Sequence, residues 1–224
     1  MISLVVPYRS DGTERARNWE WCRRRWLALL PNARLVECDS GHEPFNRGAS
    51  INLGVANSFG DVLVIADADT VVSDVDAAVG IAETGGWSIA YDRDAYWTLT
   101  PQATERVLVT DPGGALSEPW ALGVTDQDRM TAFSGVLVMP RAAFDAANGF
   151  DETLVGWGYD DSCFYVAMDT LWQPHKRAPG FALHLHHPRG LDYASPHIDA
   201  NKARYEQYLQ ADSHPALMRE LVRG

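Results

Sequence analysis

Apolar residues along the chain fall into short runs separated by polar, turn-rich stretches, and the spacing changes from run to run. Ile2 to Val6 reads as a strand that meets Pro7. In the following "PYRSDGTERARN", Asp11 can cap a helix and Glu14, three residues later, can complete a capping box. Trp19, Cys22, Trp26 and Leu29 then recur at helical spacing and give a core face to a helix running to about Leu30. Arg23 to Arg25 point largely elsewhere and read as a solvated face. "ARLVEC" predicts a second strand, "GASINLGVANSF" a helix ending at Gly60, and "DVLVIADAD" a buried strand with acids at its end.

This strand, helix, strand, helix, strand order predicts an α/β fold with a mainly parallel central sheet flanked by helices. Ligands of such sheets bind beyond the carboxyl ends of the strands, where the aspartates fall. From Tyr91 to Met130 periodicity fades and turn formers accumulate, as in "TDPGGALSEP", which predicts a long excursion over the sheet. "FSGVLVMPRAAFDAANGF" returns to a strand and a helix, "FALHLHHPR" offers a short strand, and Ser195 to Val222 reads as helical with interruptions near His214 and Pro215. One domain over residues 1–224 is expected, with a nucleotide-binding half to about residue 90 and a catalytic, acceptor-binding half beyond it.

Composition narrows the classes. No apolar run approaches the roughly 18 residues of a membrane helix, and the start lacks the charged region and cleavage site of a signal peptide, so a cytoplasmic protein without a membrane span is expected. Cys22, Cys38 and Cys163 are too few and too scattered for a disulfide or zinc framework and read as buried thiols. The net charge of −11 opposes long-range attraction to nucleic acid or anionic membrane, so DNA is the less attractive partner and a phosphorylated ligand needs local help. Among the basic residues only Lys176 and Lys202 are lysine. That arginine bias suits bidentate phosphate contacts and equally follows from genomic coding bias.

Three constellations carry candidate chemistry. Asp67 and Asp69 lie two apart where an apolar strand gives out, so both can face one pocket and offer oxygen ligands to Mg²⁺ or Mn²⁺; the alternative is a capped turn. His184, His186 and His187 crowd another strand end, where imidazole nitrogen suits Mn²⁺ better than Mg²⁺. They also read as structural histidines. In "GWGYDD", Gly156 and Gly158 free the backbone, and Trp157 or Tyr159 offers a face for a sugar ring. Asp160 and Asp161 suit acceptor binding and general-base work, and also suit capping of the next helix.

In order and over most of the chain, these segments resemble A-type-fold nucleotide-sugar glycosyltransferases of the β-1,4-galactosyltransferase and chondroitin-polymerase-like group. "VVPYRSD" is similar to the group's Pro-Phe-Arg segment, "FNRGASINLGVA" to its Phe-Asn-Arg plus Asn-x-Gly, "IADADTV" to its Asp-x-Asp strand, and "FSGVLVMPRAAFDAANGFDETLVGWGYDD" to the run from Gly-Gly to Gly-Trp-Gly-x-Glu-Asp. The resemblance implies a single glycosyltransferase A-type (Rossmann-like) domain. It implies a Mn²⁺- or Mg²⁺-dependent, inverting transfer of a galactose-, N-acetylgalactosamine- or glucose-type sugar from a UDP-sugar to an acceptor hydroxyl on a glycan, protein or small molecule.

Carried over by position, Pro7, Arg9 and Arg47 would bind the uridine diphosphate, Asp67 would lie near the nucleotide sugar, and Asp69 with His184 and His187 would hold the metal. Ser134 and Gly135 would line the donor sugar, Trp157 and Gly158 would floor the pocket, Asp160 would hold the acceptor, and Asp161 would be the base. The chain departs from the pattern at Ser134, at Tyr159 where the group has glycine, and at Asp160 where it has glutamate. Rival readings are a retaining polypeptide N-acetylgalactosaminyltransferase-like enzyme, a sugar-nucleotide pyrophosphorylase, and a non-catalytic nucleotide-sugar-binding module. The pyrophosphorylase lacks its glycine-rich loop here, since "PYRSDGTERARN" supplies only Gly12.

Overall fold

The computed structural model describes residues 1–10, 12–188 and 196–224. β1 (Ile2–Pro7), β2 (Arg34–Cys38) and β3 (Val62–Ala66) run parallel with β1 in the middle, connected through α1 (Glu14–Leu29) and α2 (Arg47–Ala56). β3 is buried at every position, as a strand covered on both faces must be. The chain continues through β4 (Thr70–Val72), α3 (Asp76–Glu83), β5 (Ser88–Ile89), β6 (Tyr96–Thr98), α4 (Pro101–Leu108) and β7 (Arg129–Met130). It then forms β8 (Val136–Pro140), α5 (Arg141–Ala146), α6 (Asp160–Leu171), β9 (Lys176–Arg177), β10 (Ala182–His184), α7 (Ile198–Ala211) and α8 (Pro215–Leu221).

Six strands make one sheet in the order β2-β1-β3-β8-β5-β9, in which β8 alone runs against the others. A second sheet, β4-β10-β6-β7, stands at its carboxyl edge. One cluster of buried side chains joins Trp19, Trp21 and Trp26 of α1 to the apolar faces of β1, β3 and β8. Among the described residues no helix is long and apolar enough to cross a membrane, and all three cysteines are free and buried.

Local chemistry explains where the helices start and how closely they pack. The Asn46 side chain accepts from the Ala49 N–H and caps α2. The Asn46 and Asn52 amides also donate to the carbonyls of Glu152 and Phe150. These bonds tie α2 to the loop that leads toward α6. Gly54 lets α2 settle on β1 and β2, because a Cβ there would lie 2.6 Å from Cys38 Sγ and 2.7 Å from Val5 Cγ1.

The structure departs from the sequence-based expectations in four places. Asp11 lies outside the described residues, and Thr13, whose side chain accepts from the Arg15 N–H, is the N-cap of α1, so Glu14 opens the helix instead of closing a capping box. α2 stops at Ala56, and the chain turns through Gly60, where a Cβ would come within 2.4 Å of Ser3 N. The stretch expected to be irregular contributes β6, α4 and β7. Their brevity hides them from periodicity, although Thr100 caps α4 ahead of Pro101 as helix starts commonly do. Finally, Arg25 is not on a solvated face: it is 3% exposed, and it donates to the carbonyls of Ser73, Pro112 and Gly114.

Burial pulls the Arg25 pKa down while Asp74 opposes the shift. Its guanidinium ties the turn after β4 and the segment after α4 to α1. Arg25→Leu therefore strips a charged donor from three carbonyls, and urea unfolding should show a loss of about 3 kcal/mol, against about 0.5 kcal/mol or less for a solvated arginine.

Candidate functional site

β3 ends at Ala66, and the next residues turn at the sheet's carboxyl edge. The Asp67 N–H donates to the Gly135 carbonyl at 2.9 Å, and the Thr70 N–H to the Asp67 carbonyl at 3.2 Å, so the Asp67-Ala68-Asp69 triplet is a tight turn entering β4. The two carboxylates face different surroundings. Asp69, 5% exposed, meets the histidines of the second sheet. Asp67 meets Arg47 in the first turn of α2.

β10 pairs with β4 in a register that sets His184 opposite Thr70, and the Leu185 N–H extends the ladder to the Asp69 carbonyl at 2.8 Å. This brings His184 Nε2 to 3.5 Å from Asp69 Oδ1 and His187 Nε2 to 3.3 Å from Asp69 Oδ2. One ligand atom from each of the three residues lies within 4.8 Å of the others. His186 turns away toward Glu14 at 3.9 Å, its own N–H donating to Thr104 Oγ1. Tyr96 stacks on His184 at 5.9 Å and holds its ring in place. One carboxylate with two imidazoles fits a divalent ion that accepts both oxygen and nitrogen, Mn²⁺ better than Mg²⁺.

Burial alone would push the Asp69 carboxyl up, but His184, Arg15 and His187 outweigh it and hold it below the ordinary range. His184 is pulled down by burial, with Asp69 opposing and His187 adding to the shift. Both directions favour the ionised acid and neutral imidazole that metal binding requires.

The second cluster surrounds Arg47. Its Nε donates to Asp67 Oδ1 at 2.8 Å, and its Nη1 donates to Asp160 Oδ2 at 2.9 Å and Asp161 Oδ1 at 2.8 Å. Burial works against the Arg47 charge, yet Asp161, Asp67 and Asp160 outweigh it and raise its pKa well above the usual value. One guanidinium does not neutralise three acids. Burial, with Asp160 and Asp67 adding and Arg47 opposing, pushes the Asp161 carboxyl up to about 8. Asp67 is likewise raised by burial, with Asp69 and Asp160 adding to the shift and Arg47 opposing it.

The loop before α6 is built with left-handed backbone at Gly156 (φ 72°), Gly158 (φ 106°) and Tyr159 (φ 73°). Tyr159 stands where the resembled group has glycine, and it keeps a conformation glycine takes freely and tyrosine does not. Its ring stacks on Tyr205 of α7 at 5.2 Å. Asn201 of α7, 2% exposed, donates to the carbonyls of Val155, Gly158 and Trp157. Trp157 is left 46% exposed beside the carboxylates.

Of the remaining expected residues, Ser134 and Gly135 lie against Asp67. Tyr91 Oη donates to the Ser134 carbonyl at 2.7 Å, and Gly135 (φ 86°) has no room for a Cβ, which would sit 2.7 Å from Tyr96 Cε2. Pro7 ends β1. Arg9 is paired with Asp39 through two bonds of 2.7 and 2.8 Å and with Glu43 at 2.7 Å, and it lies over the Phe45 ring. Arg9 therefore stands with Phe45 at the β1 and β2 ends.

Two neighbours were not singled out from sequence. Arg15 places Nη2 3.6 Å from Asp69 Oδ2. Its signal was available, since the first turn of a helix that follows a parallel strand lies at the ligand-binding edge. Asn201 had no such signal, because what it holds is backbone. Phe133, Ser162, Tyr165, Asp169, Tyr205 and Leu209 line a cavity of about 580 Å³ along α6 and α7, and none of the expected site residues lines it.

Comparison with known proteins bears on the fold. A family model described as the N-terminal domain of galactosyltransferase matches residues 125–170. No curated protein sequence matches the chain. The catalytic domain of Drosophila β-1,4-galactosyltransferase 7 in complex with xylobiose is similar at a TM-score of 0.55 and 15% identity, over 92% of this chain and 79% of that one. A variant of the Drosophila enzyme, in complex with manganese, UDP-Gal and xylobiose, is similar at 0.51 and 17% identity, over 83% and 71% of the two chains. A mannosyltransferase from Pyrobaculum calidifontis, in complex with GDP-Man and Mn²⁺, is similar at 0.57 and 13% identity, over 99% and 68%. The fold is the A-type glycosyltransferase fold, a mainly parallel sheet flanked by helices.

The raised Asp161 carboxyl links stability to pH. Unfolded, this acid titrates near roughly pH 4, while folded it keeps its proton up to about 8. The folded state thus binds the extra proton between those values, and its stability falls as pH rises through them. Urea midpoints of the metal-free protein should decline from pH 5 to pH 8, and Asp161→Asn should flatten that decline and be the more stable protein at pH 8.

Proposed function

We propose that the protein is a metal-dependent glycosyltransferase that moves a sugar from a UDP-sugar to an acceptor hydroxyl with inversion at the anomeric carbon. The observation that carries this reading is the convergence of Asp69, His184 and His187 at the end of β3, beside the Arg47 cluster that holds Asp160 and Asp161. One cluster suits the leaving diphosphate and the other suits the incoming acceptor. The matched family model and the nucleotide-sugar complexes of the similar folds support the same assignment.

In this reading Asp69, His184 and His187 hold Mn²⁺, or Mg²⁺ less well. When bound, the ion offsets the negative charge that grows on the departing diphosphate. Pro7 and Arg9, with Phe45 beside the arginine, receive the uridine end. Ser134 and Gly135 bound the donor sugar, with Asp67 next to them, and Trp157 and Gly158 floor the space between donor and acceptor. Asp160 accepts a hydrogen bond from an acceptor hydroxyl and Asp161 takes the proton of the attacking one. As the new C–O bond forms on the face opposite the diphosphate, the old one breaks and its electron pair leaves with the phosphate oxygen. Arg47 sets the carboxylates in place, since Asp67, Asp160 and Asp161 accept from its Nε and Nη1, and with Pro7 and Arg9 it serves the uridine diphosphate.

Release of nucleoside diphosphate from a panel of UDP-sugars, with GDP-mannose included, tests the assignment. Slow turnover of one UDP-sugar is expected with Mn²⁺, absent with chelator and in Asp69→Ala; turnover that survives chelation would sink the metal's role. With donor and acceptor known, Asp161→Asn should lower kcat by about 10² to 10⁴ while UDP affinity stays near that of the parent. Because a base must be ionised, kcat/KM should rise with pH through the neutral to alkaline range, and proton NMR of the product should show the inverted anomer.

A further inference from the structure

Three arginines stand at the carboxyl edge of the sheet, and they are held differently. Arg9 makes bonds of 2.7 and 2.8 Å to Asp39, and Arg47 makes bonds of 2.8 to 2.9 Å to its three acids. Arg15 instead reaches a single carboxylate oxygen, Asp69 Oδ2, at 3.6 Å, a distance beyond a hydrogen bond. Its side chain is 44% exposed against 7% for Asp69. Among the described residues it has no other ion pair.

The oxygen it reaches is the one that faces His187, while the other oxygen of Asp69 faces His184. The guanidinium thus stands at the open side of the three-residue cluster and supplies the positive charge there. A divalent cation and a guanidinium cannot share Asp69 without strong repulsion at such range. Arg15 also sits in the first turn of the sixteen-residue α1, next to its Thr13 cap, where an anion gains from the helix's positive end.

We propose that Arg15 is a cation surrogate at Asp69: it occupies the carboxylate until a divalent ion displaces it, and then pairs with the diphosphate of the nucleotide that the ion binds. The proposal rests on the glycosyltransferase reading and adds to it a residue outside every motif of the family resemblance. The handover needs only a side-chain rotation, because the arginine is half exposed and loosely held. It makes metal and nucleotide uptake mutually supportive, since the ion both neutralises Asp69 and frees a phosphate ligand. It also covers the buried charge of Asp69 while no ion is bound.

Calorimetry on the full chain tests this without turnover. Mn²⁺ is titrated into the wild type, Arg15→Gln, Arg15→Lys and Asp69→Asn, and UDP is then titrated into each at saturating Mn²⁺. Arg15→Gln should bind Mn²⁺ alone about tenfold more tightly than the wild type, and the Mn²⁺-loaded form should bind UDP about tenfold more weakly. Arg15→Lys, which keeps the charge, should stay near the wild type for Mn²⁺ and fall between the two for UDP. Mn²⁺ affinity that is unchanged or weaker in Arg15→Gln overturns the surrogate role, and unchanged UDP affinity overturns the handover. Wild type that takes up neither Mn²⁺ nor UDP, or Asp69→Asn that binds Mn²⁺ as the wild type does, overturns the function proposed above and this inference with it.

Discussion

The attraction between Arg47 and three aspartates holds together segments that the chain order keeps far apart. Asp67 is 20 positions away, and Asp160 and Asp161 are 113 and 114 positions away. Asp160 and Asp161 accept from the same nitrogen, so their oxygens cannot lie farther apart than those two bonds laid end to end. Two like charges at about 4 Å cost about 4 kcal/mol near a protein surface, and the guanidinium offsets part of that repulsion. The same cluster remains over-supplied with negative charge, which is why Asp161 keeps a proton into the alkaline range.

That charge balance depends on packing elsewhere. Arg47 begins α2 because Asn46 caps it, and the same Asn46 amide, with that of Asn52, fastens the loop leading to α6. Gly54 brings the helix within touching distance of β1 and β2. On the far side, α7 supports the α6 loop through Asn201 and through Arg204 and Tyr208, which both bond Asp151. Tyr159 holds a backbone conformation that costs a non-glycine residue about 1–3 kcal/mol, and its stack on Tyr205 and the Asn201 bonds over-determine it.

The parts of this arrangement that were legible in the sequence are those in which one residue type has few alternatives. Acids ending an apolar strand, two histidines three apart after another strand, and glycines around a tryptophan each restrict the local chemistry, and their order carried the fold. What stayed hidden depends on tertiary partners. Arg25 projects at the margin of the apolar face, three residues after Cys22 and four before Leu29, but its charge reads as solvated, and only the carbonyls of Ser73, Pro112 and Gly114 make it a core residue. β6 and β7 are three and two residues long, too short for alternation to register. Arg15 and Asn201 act on groups from other segments, Asp69 and three backbone carbonyls, and no pattern within their own helices announces that.

The pairing of β4 with β10 has a consequence for how the molecule assembles. His184 faces Asp69 because it is opposite Thr70, and a slip by one residue would put Leu183 or Leu185 there and turn the imidazole to the other face. β10 joins the sheet late in the chain, between strands that precede it by more than eighty positions. An ion that binds Asp69 and the histidines would bind only chains in which that last strand has found its register, and mass action would then favour those chains over slipped ones. The late pairing of β10 therefore decides whether Asp69, His184 and His187 come together at all.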